Sequence, residues 1–261
     1  MIALPKSPTG FPMAPSQEQW DAFTPQGQAE VLAALPSEVT DAEMAPPEGD
    51  RHFRAKVRAL GALRSHFTRQ RRRVYVAAEL PVYYPNAPRF APDLLVVLDA
   101  ADEERDKWVV SAERKGLDWV LEVHVGGDRK KDAETNVLRY AALGIPEYFL
   151  YDRAREQLKA FRLPSPDARS YVPIVPQRGL YPSSVLGLDV QVEQGRLRFF
   201  EGTAMLLESE ELIGRLERMV EQLEQRAAEE ARLRTEEARL REAAERDLAV
   251  AKEELARLRS K

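Results

Sequence analysis

Asp118-Trp119-Val120-Leu121-Glu122-Val123-His124-Val125 is the stretch of the 261-residue sequence that decides the fold. Its aromatic and β-branched residues predict a strand from Trp119 to Val125, closed by Gly126-Gly127. Alternation puts Trp119, Leu121, Val123 and Val125 on one face, with Asp118, Val120, Glu122 and His124 on the other. A carboxylate set between Leu121 and Val123 costs several kcal/mol in a dry interior unless it meets a cationic partner or a metal. Glu122 is therefore either half of a structural salt bridge or part of a site.

On the N-terminal side, Pro92-Asp93 opens a second apolar strand, Leu94 to Leu98, and Asp99 to Lys115 forms a charged connection between the two. Further strands are expected at Val74 to Ala78, Tyr148 to Tyr151 and Leu158 to Phe161, with a hairpin over Val190 to Phe200 turning near Gln194-Gly195. A helix from about Arg129 to Leu143 is stopped by Gly144 and Pro146. Another, beginning at His52, repeats Phe53, Val57, Ala59, Leu60, Leu63 and Phe67 at helical spacing, with Arg and Lys on its polar face. This order of helix, strands, helix, strands implies an α/β fold with a mixed sheet flanked by helices.

Three parts are expected: a Pro-rich N-terminal leader over 1–50 with a short helix around Gln17 to Leu35, a catalytic-type domain over 51–203, and a C-terminal coiled-coil helix over 204–261. The helix is signalled by an abrupt shift to Glu, Arg, Leu and Ala with no proline. With Leu206 at an a position, Ile213, Val220, Ala227, Leu248 and Leu255 continue the a series, while Leu216, Leu223, Ala244, Ala251 and Leu258 follow at d. Glu230, Arg234, Glu237 and Arg241 interrupt the seam. A homodimer through this helix is expected, against the alternative of a single solvated helix laced by Glu-to-Arg pairs.

Cysteine is absent, which excludes disulfides, Cys-ligated zinc and thiol catalysis. His52, His66 and His124 share no metal-ligand spacing, which argues against a zinc site. No apolar run approaches the roughly 20 residues that span a bilayer, and the N-terminus lacks a signal pattern, so a cytoplasmic protein with no membrane partner is expected. The net charge of −4 gives no overall attraction to nucleic acid. Any such contact requires a local patch, and the run Arg69 to Arg73 after Arg54, Lys56, Arg58 and Arg64 offers one, with a solvated basic loop as the alternative.

Four segments carry a family resemblance: Pro47-Glu48-Gly49-Asp50, Val74 to Tyr84, Arg89 to Val97, and Leu143-Gly144-Ile145-Pro146-Glu147-Tyr148-Phe149-Leu150-Tyr151-Asp152. In order and spacing they resemble the Uma-type restriction endonuclease family of the PD-(D/E)XK superfamily, over Glu48 to Gly202. The resemblance implies a restriction-endonuclease-like fold and a DNA endonuclease using Mg²⁺ or Mn²⁺, with Asp93 and Glu122 as metal-binding carboxylates. Magnesium suits such a pair, since it is commonly held by one or two carboxylates together with waters and phosphate oxygens.

The sequence departs from that pattern where a lysine is expected. The place two residues after the second acid holds His124, and the helical Asp, Lys, Tyr series of the family reads Asp132, Asn136, Tyr140. Lys130 or Lys131 from the first turn of that helix, or His124 as a base, are the substitutes the sequence offers. Arg71, Arg72, Arg73 and Lys130 are the expected nucleic-acid contacts. The rival function is a catalytically degenerate fold acting as a nucleic-acid-binding or coiled-coil interaction module.

Overall fold

The computed structural model describes residues 4–8, 10–38, 49–125 and 131–259, apart from the side chains of 131–133, 254 and 258–259. The chain divides after Glu208 into a globular unit and a helical one.

In the globular unit, Ser16 caps α1 (Gln17–Ala22) by accepting from Gln19 N, while the Gln19 side chain bonds back to Ser16 N. Thr24 caps α2 (Pro25–Ala34), which has Pro25 in its first turn. The single short helix expected near Gln17 to Leu35 is thus two, because the residue before a proline is driven out of helical geometry. Trp20, Val31 and Leu35 pack on Tyr83 and Val109, so this segment has an apolar cluster of its own.

The long α3 (Gly49–Arg69) leads into β1 (Val74–Ala77), β2 (Val82–Tyr83), β3 (Leu94–Leu98), β4 (Trp108–Val109), the short α4 (Val110–Glu113) and β5 (Trp119–His124). A π-helical stretch over Lys131–Asn136 continues as α5 (Val137–Ala142), followed by β6 (Glu147–Asp152), β7 (Gln157–Arg162) and β8 (Val172–Pro173). The expected helix is therefore divided, and residues 129–130 lie outside the described ones. Gly144, at φ +75°, ends α5 with its N–H donating to Ala141 O.

Six strands form one mixed sheet in the order β1-β3-β5-β6-β7-β8, in which only β5 and β6 are parallel. A second, antiparallel sheet comprises β9 (Tyr181–Ser183), β10 (Leu188–Glu193), β11 (Arg196–Glu201) and β12 (Ala204–Met205). Gln194 and Gly195 turn the β10–β11 hairpin with positive φ at both, which only the twist-matching hairpin turn requires.

Trp119, Leu121 and Val123 bury against Ala59, Leu63 and Phe67 of α3 and against the second sheet, whereas Val120 joins Leu95, Val97, Tyr140 and Tyr148 on the opposite face. Both faces of β5 are thus dry, and a charge on either needs company. The stripe of α3 that enters the core matches the expected one at Ala59, Leu63 and Phe67, but Phe53 and Val57 at its start are exposed while Lys56 is buried.

The second unit is α6 (Ser209–Arg259), 51 residues and about 75 Å long at 1.5 Å per residue. Ile213, Leu216, Val220 and Leu223 are exposed along it, and Arg241–Glu245 is one of its four-residue ion pairs. Leu206, taken as the first a position, instead precedes the helix and is buried in the core of the globular unit. Among the described residues no helix is long and apolar enough to cross a membrane.

Candidate active site at one end of the mixed sheet

Leu94 of β3 pairs with Leu121 of β5, and one step further along this antiparallel register Asp93 stands opposite Glu122. Directly opposed residues place their side chains on the same face, so two acids from separate strands converge. Two contacts fix the arrangement. Val123 N donates to Asp93 Oδ2 at 2.7 Å, and Glu122 Oε2 lies 3.4 Å from the Asp93 backbone nitrogen.

The first turns of α3 close over the pair. His52 Nε2 is 3.0 Å from Asp93 Oδ1, and Lys56 Nζ, one helical turn on, is 3.6 Å from the same oxygen. Lys56 also donates to Glu79 Oε1 and is only 6% exposed. Glu79 is set by its own backbone: it adopts φ +54° and its N–H donates to Pro92 O at 3.0 Å, next to Asp93. Lys56 approaches Asp93 from the α3 side, through Oδ1, whereas Glu122 lies towards the strand backbone. Lys56 is therefore a direct ion-pair neighbour of Asp93.

Across the sheet face, the Tyr140 hydroxyl of α5 donates to Glu122 Oε1. Burial and the adjacent Glu122 carboxylate both push the Tyr140 hydroxyl well above its ordinary value, which keeps it a donor. Arg139 beside it donates to the carbonyls of Pro88 and Arg89 and stacks on Phe90, pinning α5 to the loop that precedes Asp93. Burial holds the Arg139 guanidinium below its ordinary value. Asn136 is buried at the junction of the π-helical stretch and α5.

Of the residues marked by the sequence, Asp93, Glu122 and Tyr140 come together. His124 is buried two residues beyond Glu122, level with Asp152 of β6. Lys130 and the Gly126-Gly127 turn lie outside the described residues, as do the side chains of Lys131 and Asp132. Arg71, Arg72 and Arg73 are exposed at the far end of α3, about 25 Å along its axis from His52. Arg72 there caps the Phe67 ring.

His52, Lys56 and Glu79 were not singled out for this site by the sequence. Spacing to other histidines set His52 aside, and Lys56 was read as part of the basic face offered as a nucleic-acid patch. The available signal was the four-residue interval between His52 and Lys56 on the helix preceding Asp93, which puts both on one face.

The pair fits a hard divalent cation of the magnesium type. The donors it offers are all oxygen, the ligand type such a cation takes, with Asp93 Oδ1 already shared by His52 and Lys56. Among the described residues no group of three or more His, Cys, Asp or Glu side chains is arranged to hold a metal ion, so the remaining ligands would be water and substrate oxygens.

No curated protein matches the chain. Among solved structures, the chain is similar to a crystal structure described as "a putative nuclease belonging to DUF820 from Anabaena variabilis ATCC 29413", with 14% identity, a TM-score of 0.44, and 60% of this chain and 89% of that one covered. The family model Uma2, described as "Putative restriction endonuclease", matches residues 38–193, and on this match over more than half its length the chain belongs to that family.

Proposed function

We propose that the chain is a divalent-metal-dependent DNA endonuclease in which Asp93 and Glu122 hold Mg²⁺ or Mn²⁺. The observation that carries this reading is the cross-strand opposition of the two acids at one end of the sheet. A cation bound there would polarise a phosphodiester and lower the pKa of an attacking water.

The chain's own residues prepare the site. Val123 N and His52 orient the two oxygens of Asp93, and Tyr140 holds Glu122 in one rotamer. Preorganised donors of this kind avoid reorganisation when charge develops. We assign to Lys56 the role of the lysine missing from the β5 and α5 positions: a buried ammonium beside the acid pair, facing the charge that grows on a phosphate. Its position against Asp93 favours it over His124, one of the substitutes expected from sequence. Self-association through α6 would supply two such sites for two strands, in a protein suited by its lack of cysteine to a reducing cytoplasm.

Lys56 also motivates a second reading. An ammonium against Asp93 neutralises part of the charge a metal needs, as in a degenerate site retained for binding. The test is conversion of supercoiled plasmid to nicked and linear forms with Mg²⁺ or Mn²⁺ by wild type, Asp93→Ala, Glu122→Ala and Lys56→Met. Loss of cutting in all three supports the nuclease. Cutting by the acid variants at the wild-type rate rejects the site, and an inert wild type that still retards DNA supports the second reading.

A further inference from the structure

We propose that a cleft walled by arginines beside the N-terminal half of α3 binds backbone phosphates of the nucleic acid substrate. The identity of the ligand rests on the nuclease reading, while the cleft itself rests on its own geometry. Its walls are Arg51, Arg54 and Arg58 of α3, Arg153 just after β6, and Arg196 at the start of β11, enclosing about 230 Å³. Against these five cations stand Asp50 and Glu208 in the lining and Glu156, which pairs with Arg153 at 3.5 Å, a local excess of two positive charges in a chain whose net charge is −4. A concentrated patch is what an acidic protein needs in order to hold a polyanion.

The charges are arranged rather than scattered. Glu208, 5% exposed, meets Arg58 at 3.2 Å, Arg196 at 3.5 Å and Arg198 at 3.0 Å. One carboxylate shared by three guanidinium groups organises them about a single buried point. The opposite wall is equally fixed. A Cβ on Gly195 would sit 2.5 Å from Glu156 Oε1 and 2.8 Å from an Arg153 guanidinium nitrogen, so the glycine lets the hairpin pack directly on the Arg153–Glu156 pair. The Tyr151 hydroxyl ties the same glycine's carbonyl at 2.8 Å. Arg51 has no ion-pair partner among the described residues, and the Arg54–Asp50 pair is exposed and weak.

Its place suits a backbone grip. His52 and Lys56 face the acid pair, and at 100° per residue Arg51, Arg54 and Arg58 lie roughly 100–160° further round the same helical turns, so α3 stands between the carboxylates and the cleft. On the other wall, Arg153 N donates to His124 O at 2.7 Å, two residues beyond Glu122 on β5. The cleft and the carboxylates therefore lie at the same end of the sheet, on either side of α3. The volume lies below the usual range for pockets that take drug-sized ligands and suits a phosphate group. Arginine forks match phosphate oxygens in bidentate geometry. The basic run at Arg71 to Arg73 is less suited: it lies at the other end of α3, and its depression is shared with Asp102 and Glu103.

The experiment is fluorescence anisotropy of a labelled DNA duplex in EDTA, across a salt series, with the full chain. The variant Arg51→Gln/Arg54→Gln/Arg153→Gln leaves the buried Glu208 cluster intact, and its melting curve reports folding. Each lost phosphate contact lowers the slope of log K against log salt by about 0.9 for duplex DNA, so the triple variant loses up to about 2.7. Lysine at the three positions restores most of that slope. Wild-type affinity and slope in the glutamine variant overturn the proposal, as does displacement of the duplex by polyglutamate as effective as by unlabelled DNA. If binding falls as expected while Asp93→Ala cuts like wild type, the cleft stands and the nuclease site fails. If the glutamine variant binds like wild type while cutting depends on Asp93, the site stands and the cleft fails.

Discussion

Replacing Tyr140 with Phe removes one hydroxyl and nothing else. That hydroxyl donates to Glu122 Oε1 from a buried ring packed in the Leu95, Val97 and Tyr148 cluster. A hydrogen bond to a charged group contributes roughly 1.5–3 kcal/mol, and a carboxylate left short of a donor retains its desolvation cost. At about 2–4 °C per kcal/mol for a domain of this size, the melting temperature drops by roughly 3–12 °C. Urea and thermal unfolding of wild type, Tyr140→Phe, Glu122→Ala and the double variant complete a cycle. The two positions touch, so the expected coupling energy is about 1 kcal/mol or more. A Tyr140→Phe protein within about 0.5 kcal/mol of wild type, with additive losses in the double variant, refutes the role given to Tyr140.

Glu208→Ala leaves Arg58, Arg196 and Arg198 facing one another and costs about 3 kcal/mol in urea unfolding, the low end for a broken buried pair because Arg58 and Arg196 are partly exposed. Gly116→Ala places a methyl 2.8 Å from the Tyr84 hydroxyl, which accepts from Leu117 N, and is expected to destabilise the fold by about 1–3 kcal/mol in the same assay. Burial lowers the pKa of His66 below its ordinary 6.5, with Arg69 and Arg72 acting in the same direction and Glu201 opposing. Below about 6.5 the unfolded chain takes up that proton before the folded one does, so stability declines as pH falls through this window, and His66→Gln flattens the decline between pH 7.5 and 5.5.

The strands were legible because their signals are local. Alternation in Trp119 to His124, the Gln194-Gly195 turn and the Gly144 stop depend on neighbouring residues alone, and each matches an observed element. Glu122 was legible as an acid in an apolar strand, a placement that is costly without a purpose, whereas Asp93, just ahead of β3, was marked only by the family resemblance. The start of α3 was not legible. Ala59, Leu63 and Phe67 are buried as expected, yet in the first turns the apolar Phe53 and Val57 are exposed and Lys56 is buried, compensated by Asp93 and Glu79 from other elements. No window of sequence along the helix contains those partners. Leu206 misled for a related reason, since a heptad phase cannot distinguish a leucine in the helix from one packed into the core just before it.

The central claim is that the two opposed acids hold a divalent cation, and calorimetric titration of Mn²⁺ into the full chain addresses it without relying on cleavage. The account predicts one binding event per chain in wild type that disappears in both Asp93→Asn and Glu122→Gln, with folding of each variant verified by its melting curve. Uptake of Mn²⁺ by those folded variants with wild-type affinity, or no uptake by wild type, contradicts it.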